Sequence, residues 1–157
     1  NKSGRDVRFV LAGRFESDNY ERAFRQKIHE YGLENKVDYK GVVTGEDKKN
    51  MFLNADVFCF PSFFSSESFG IVMLEGMMYQ MPIIASRWRG VQSVVNDGEN
   101  GYLVDIKNAS QIVTCISSLY DDRELLANMA KESRRLFVEK YELSKYLCKI
   151  EKAMTNI

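Results

Sequence analysis

The chain has 157 residues, of which 45% are hydrophobic and 28% charged, with 22 basic side chains balancing 22 acidic ones. This length suits one domain with a real core, taken as residues 1–157. The even charge argues against a nucleic-acid partner, which as a rule leaves a basic surplus. No apolar run reaches bilayer-spanning length, and nothing reads as a signal peptide.

Short apolar runs alternate with helical patterns along the chain, which implies a parallel α/β sheet. Residues 7–13 read as a first strand. Tyr20, Ala23, Phe24, Ile28 and Tyr31 then mark one face of a helix that stops near Gly32. Residues 37–41 read as a second strand. Thr44 to Asp47 form a cap, and the helix after it runs to about Ala55.

Asp56-Val57-Phe58-Cys59-Phe60 is a short apolar run that suits a strand covered on both faces. Pro61 cannot donate to a ladder and ends it. A loop follows, and Gly70 opens a helix over residues 71–78. Residues 81–86 and 101–104 are two further strands. Beyond them the period is helical, with stripes at Ala109, Ile112, Val113, Ile116 and Leu119, at Leu125 to Phe137, and at Leu143, Tyr146, Leu147, Ile150 and Met154. Asn108-x-x-Gln111 and Asp121-x-x-Glu124 have the form of capping boxes.

The loop before residue 71 carries the functional signal. A helix entered at Gly70 presents backbone N–H groups and the positive end of its dipole, and glycine has no side chain to keep a ligand away. Glu67 precedes that helix, and Glu75 lies inside it, roughly 7 Å past its start at the usual helical rise. Two carboxylates bracketing an anion-attracting site suit a ligand with hydroxyls at both ends and a diphosphate between them, as in a nucleotide-sugar. Alone, Glu-x7-Glu is a weak pattern, since most such pairs are solvated. The strand, the Pro61-Ser62 step and Phe69-Gly70 make it specific.

Other candidate groups carry less. His29 is the one histidine and lies among polar residues on a helix, as a structural histidine does. Cys59, Cys115 and Cys148 fall at apolar positions with wide spacing, which implies reduced, packed thiols and a cytoplasmic setting. No Asp-x-Asp and no metal-ligand spacing occur, so no metal site and no cofactor are expected. Phe58, Phe60, Phe63 and Phe64 read as core and loop packing.

Taken together, these segments resemble the donor-binding domain of the GT-B glycosyltransferases, specifically the retaining group 1 type, family 4. The resemblance runs from the strand at residues 7–13 to the turn and strand at residues 97–104. It implies a Rossmann-like three-layer sheet of strand order 3-2-1-4-5-6, with the first strand absent. It implies that Glu67 holds hydroxyls of the donor sugar as the catalytic-site carboxylate, and that Glu75 binds the ribose diol. It gives Ser68 a place where many members have glycine, and gives the N–H groups of Phe69, Gly70, Ile71 and Val72 to the sugar and diphosphate. Gly41, Val42 and Val43 match the loop that meets the base, with a plain strand end as the equal alternative. Gly13-Arg14 is not the family's phosphate-clamping pair, because its place, one strand before residues 37–41, suits the family's second strand instead.

Departures from the family pattern fall at Tyr79-Gln80 and at Gln92 and Ser93. The acceptor domain and the upstream cations are not in these residues, so the expectation is a donor-domain fragment, inactive by itself, of a two-domain enzyme. The parent's expected partners are a nucleotide-sugar and an unknown acceptor, without nucleic acid. Its expected place is the cytoplasm, with peripheral attachment to the inner membrane face compatible with this reading. Self-association of the fragment is expected from two strand edges left open. A sugar-nucleotide epimerase of the same fold and a non-catalytic nucleotide-sugar binding module stay open as alternatives. A glycoside hydrolase fits poorly, because its carboxylates face each other across a sugar. An oxidoreductase also fits poorly, since no G-x-G-x-x-G follows the first strand.

Overall fold

A computed structural model of the chain describes residues 4–155. These fall into two compact units that meet in sequence between Asn54 and Ala55. Each is an α/β arrangement of parallel strands and flanking helices.

The first unit runs β1 (Phe9–Leu11), α1 (Asp18–Glu30), β2 (Val37–Tyr39) and α2 (Gly45–Leu53). β1 and β2 pair in parallel, with Phe9 opposite Val37 and Leu11 opposite Tyr39. Ser17 starts α1 by accepting a hydrogen bond from the Tyr20 N–H at 3.4 Å. The expected apolar face of α1 is realised in its middle, where Phe24 joins Phe15 and Tyr39, the last two with ring centres 4.7 Å apart. Tyr20 and Tyr31, at the two ends of that face, stay largely exposed. Thr44 stands at the start of α2, but its side chain makes no capping bond. All three residues of β1 are exposed, Val10 by 50%.

The second unit holds β3 (Phe58–Phe60), α3 (Ile71–Met78), β4 (Ile83–Ser86), β5 (Gly101–Val104), α4 (Ala109–Asp121), α5 (Arg123–Leu136) and α6 (Leu143–Thr155). Its strands form one parallel sheet in the order β3-β4-β5. Within each unit the pairing follows the order expected from the sequence. Every residue of β4 is buried, and its alternation builds both cores. Ile83 and Ala85 pack with Met73, Met77 and Leu136, while Ile84 packs with Val104, Leu119 and Met129. Two glycines permit the close fit. A Cβ on Gly76 would lie 3.1 Å from Ile83 and from Phe58, and one on Gly101 would lie 1.9 Å from the Ile83 carbonyl oxygen.

Some local expectations shift. The cap of α5 is Asp122, whose carboxylate accepts from the Leu125 N–H at 2.9 Å, and not Asp121. Asn108 caps α4 as expected, accepting from the Gln111 N–H at 3.2 Å. The Gln111 side chain does not complete the box, because it turns to the Asp105 backbone and carboxylate. Cys59 on β3 and Cys115 on α4 pack against the same buried cluster, but Cys148 is exposed on α6. The apolar stripe of α6 forms as a stripe and remains exposed, with Leu143 at 67% and Met154 at 71%.

Candidate nucleotide-sugar site

The carboxyl ends of β3, β4 and β5 carry three loops, at the edge where ligands bind in open parallel sheets. The loop after β3, residues 61–70, is the one that bears Glu67. Three contacts from the end of β4 and the segment after it fix it. The buried Ser86 hydroxyl donates to the Ser62 carbonyl. The Trp88 indole N–H donates to the Phe64 carbonyl at 3.0 Å. The Gly90 backbone lies so near that a Cβ there would come within 2.0 Å of the Ser68 carbonyl oxygen. These three residues were not singled out in the sequence. A lone tryptophan two residues before a glycine, just past a buried strand, was the available signal.

Glu67 is half-buried, and its Oε1 accepts from the Gly70 N–H at 2.8 Å and from the Phe69 N–H at 3.3 Å. The N–H groups of Phe69 and Gly70, which the family resemblance gives to the sugar and diphosphate, are held here by the Glu67 carboxylate. Gly70 has φ +76°, and a Cβ would lie 2.9 Å from Met73 and 3.0 Å from Phe60. Backbone angle and space both require glycine. The Met73 N–H turns back to the Gly70 carbonyl at 2.9 Å. The Ile71 and Val72 amides belong to the first helical turn, whose N–H groups have no acceptor within the helix. Ile71 is 72% exposed, so this end of α3 faces outward. Ser68 is exposed, and Glu75 is half-buried one turn into α3.

Gly41, Val42 and Val43 lie in the first unit. Gly41 has φ +66°, and its carbonyl accepts from the Gly13 N–H at 2.8 Å. Val42 is 63% exposed. With Val43, Val10, Asp38, Lys40 and Asn50 it lines an open cavity of about 560 Å³.

The remaining titratable groups read as structural. His29 Nδ1 lies 2.8 Å from Glu34 Oε1, with both side chains exposed. The Glu34 carboxyl is held below its ordinary range by its own backbone amide and then by His29. Burial, with Cys115 adding, pushes the Cys59 thiol up to about 11. Among the described residues, no group of three or more His, Cys, Asp or Glu could hold a metal ion. No described helix is long and apolar enough to cross a membrane.

Comparison with known proteins gives the family and the fold. The family model described as "Glycosyl transferases group 1" matches residues 1–136. The chain is 32% identical over 144 residues to alpha-D-kanosaminyltransferase of Streptomyces kanamyceticus, covering 91% of this chain and 36% of that protein. It is 34% identical over 104 residues to D-inositol 3-phosphate glycosyltransferase of Paenarthrobacter aurescens, covering 66% of this chain and 25% of that one. The chain thus spans between a quarter and about a third of these relatives' length. In structure it matches Anabaena HepE in complex with UDP-glucose, with TM-score 0.84 and 23% identity over 96% of this chain and 41% of the other. It also matches the C-terminal domain of a group 1 family glycosyl transferase, LpcC, from Francisella tularensis. That match has TM-score 0.79 and 26% identity over 90% of this chain and 73% of the other.

Proposed function

The chain belongs to the group 1 glycosyl transferases, and from that premise we propose that it is the donor-binding part of a retaining glycosyltransferase. The intact protein would move a sugar from a nucleotide-diphosphate-sugar to an acceptor, in polysaccharide or glycolipid synthesis. The observation that carries this reading is the clasp of Glu67 on the Gly70 N–H at the start of α3. It fixes one carboxylate oxygen and leaves Oε2 as an acceptor for sugar hydroxyls. With the Phe69 and Gly70 amides taken, the diphosphate is proposed to lie on the amides of Ile71 and Val72, where the helix dipole favours negative charge.

Each residue then has one task. Glu67 orients the sugar and, tied by its backbone bonds, is not a covalent nucleophile. The first turn of α3 stabilises charge that develops on the leaving diphosphate, and preorganised donors are most effective there. With the diphosphate leaving on the face that the acceptor attacks, the anomeric configuration is retained. Glu75 takes the ribose diol. In the first unit, Gly41, Val42 and Val43 are proposed to meet the base, supported by the cavity that the two valines line. The reaction is proposed to need no bound metal or cofactor. The proposed location is cytoplasmic, at or near the inner membrane face.

The test is a donor screen on the intact protein that measures nucleoside diphosphate release. UDP-glucose comes first, since the similar Anabaena fold was solved with it, and GDP-sugars follow. Release from a nucleotide-sugar, dependent on acceptor, is expected. Failure to bind or turn over any nucleotide-sugar would overturn the proposal.

A further inference from the structure

Among the described residues, three non-glycine residues have a positive φ, and two of them carry cations at the edge that holds the Glu67 loop. Arg89, with φ +44°, follows β4, and Lys107, with φ +59°, follows β5. Such angles cost a side-chain-bearing residue conformational energy, so something in the surroundings must hold them. Both cations are stacked. The Arg89 guanidinium lies 5.4 Å from the Trp88 ring centre. The Lys107 ammonium lies 5.3 Å from the Phe63 ring centre. Trp88 is itself bonded to the Phe64 carbonyl, so both charges are fastened to two successive residues of one loop.

Neither cation has a carboxylate partner among the described residues. Their neighbour Arg87 differs, since it is paired with Asp97 at 2.6 Å and with Asp105 at 3.9 Å. Arg89, Lys107, Phe63 and Phe64 are all exposed. The contact of Gly90 with the Ser68 carbonyl places the Arg89 backbone beside the residue after Glu67. Lys107 thus touches Phe63, and Arg89 joins the same loop through its neighbours, Trp88 at the Phe64 carbonyl and Gly90 at the Ser68 carbonyl. On the reading above, this is the sugar-facing part of the loop, and the helix start assigned to the diphosphate is separate from it.

We infer that Arg89 and Lys107 form a cationic rim that selects an anionic group, a carboxylate or a phosphate ester, on the transferred sugar or on the acceptor that meets it. The inference rests on the assignment of Glu67 to the sugar end of the donor. A planar guanidinium and a flexible ammonium, both left unneutralised, suit such a group better than a neutral hydroxyl.

The test is calorimetry on the intact protein and on its Arg89→Gly and Lys107→Gly variants. Glycine adopts a positive φ freely, so both variants keep the fold. One arm compares UDP-glucuronate with UDP-glucose. The other compares glucose 6-phosphate with glucose, with and without UDP. The native protein should favour the charged ligand in one arm by roughly tenfold, the scale of one charge-assisted hydrogen bond. Each variant should shrink that preference, weakening the charged ligand far more than the neutral one. The arm that responds identifies which molecule carries the anion. Equal binding of charged and neutral ligands in both arms overturns the inference, and so do variants that weaken both ligands alike. A protein that binds neither a UDP compound nor a GDP-sugar overturns the donor assignment instead, and the glucose 6-phosphate comparison without UDP still reads the rim.

Discussion

The Glu67 carboxylate accepts the Gly70 N–H at 2.8 Å, so the acid that opens the motif also clasps the entrance of α3. Its second bond, from the Phe69 N–H at 3.3 Å, closes the loop onto the helix start. One side chain thus couples the shape of the loop to the acceptor offered to a ligand.

Substitutions at Glu67 can separate these two tasks. Glu67→Gln keeps a carbonyl oxygen that can hold the two amides, but replaces the free acceptor with a donor. It should leave thermal stability nearly unchanged, spare UDP, and weaken UDP-glucose. Glu67→Ala should lose the clasp as well, lowering stability by about 1–2 kcal/mol, the scale of charge-assisted hydrogen bonds at a half-buried site. Thermal unfolding read beside calorimetry with both ligands checks this. Equal losses of UDP and UDP-glucose in the glutamine variant would contradict the assigned polarity.

Glu75 should behave in the opposite way. Glu75→Ala should weaken UDP itself by about 1–3 kcal/mol, the scale for losing hydrogen bonds to a charged group. UDP-glucose should weaken in parallel, because the loss lies at the ribose. Titration of the intact protein with both ligands would show it, and EDTA in the same titrations should leave the affinities unchanged.

Gly90→Ala should be far more harmful than Gly98→Ala. A Cβ at position 90 would lie 2.0 Å from the Ser68 carbonyl oxygen, so the Glu67 loop must shift. Overpacking of this kind costs about 1–3 kcal/mol. Gly98 has φ +84° with open space around it, so its cost is the backbone penalty alone, about 1 kcal/mol. Unfolding midpoints together with UDP-glucose affinity separate the two. Gly90→Ala should lose both, and Gly98→Ala should lose a little stability only.

The three cysteines should differ in reactivity. Cys148 is exposed, whereas Cys59 is packed with its thiol raised to about 11. Iodoacetamide at neutral pH should label Cys148 first, and Cys59 only on unfolding, as read by mass spectrometry. A thiol that ionises less readily when folded contributes stability below its ordinary range. That contribution is lost as pH climbs from about 9 in the unfolded chain through about 11 in the folded one. Denaturant midpoints across that window should fall.

Much of this architecture was legible from burial patterns. β4 and β5 matched because their residues meet neighbours on both faces, leaving little choice of conformation. Gly70 was legible because a left-handed entry tolerates little else. The cap of α5 slipped by one residue because Asp121 and Asp122 are chemically alike, and only the i+3 geometry to Leu125 selects between them. The clasp of Glu67 was hidden for a different reason. A carboxylate near a helix start reads as a ligand-facing group, and sequence spacing does not show that its own backbone competes for it. Arg89 and Lys107 were invisible because left-handed backbone is normally read from glycine. Ser86 and Trp88 act on carbonyls 24 residues away, a separation that no local pattern encodes.

The bond from Trp88 to the Phe64 carbonyl has an optical consequence. Trp88 is the one tryptophan in these 157 residues. Its indole is tied to the loop that carries Glu67 and lies under the Arg89 guanidinium. The emission of this single fluorophore therefore reports whether that loop is closed, wet or displaced. The chain carries its own intrinsic gauge of its most important loop, readable without a label.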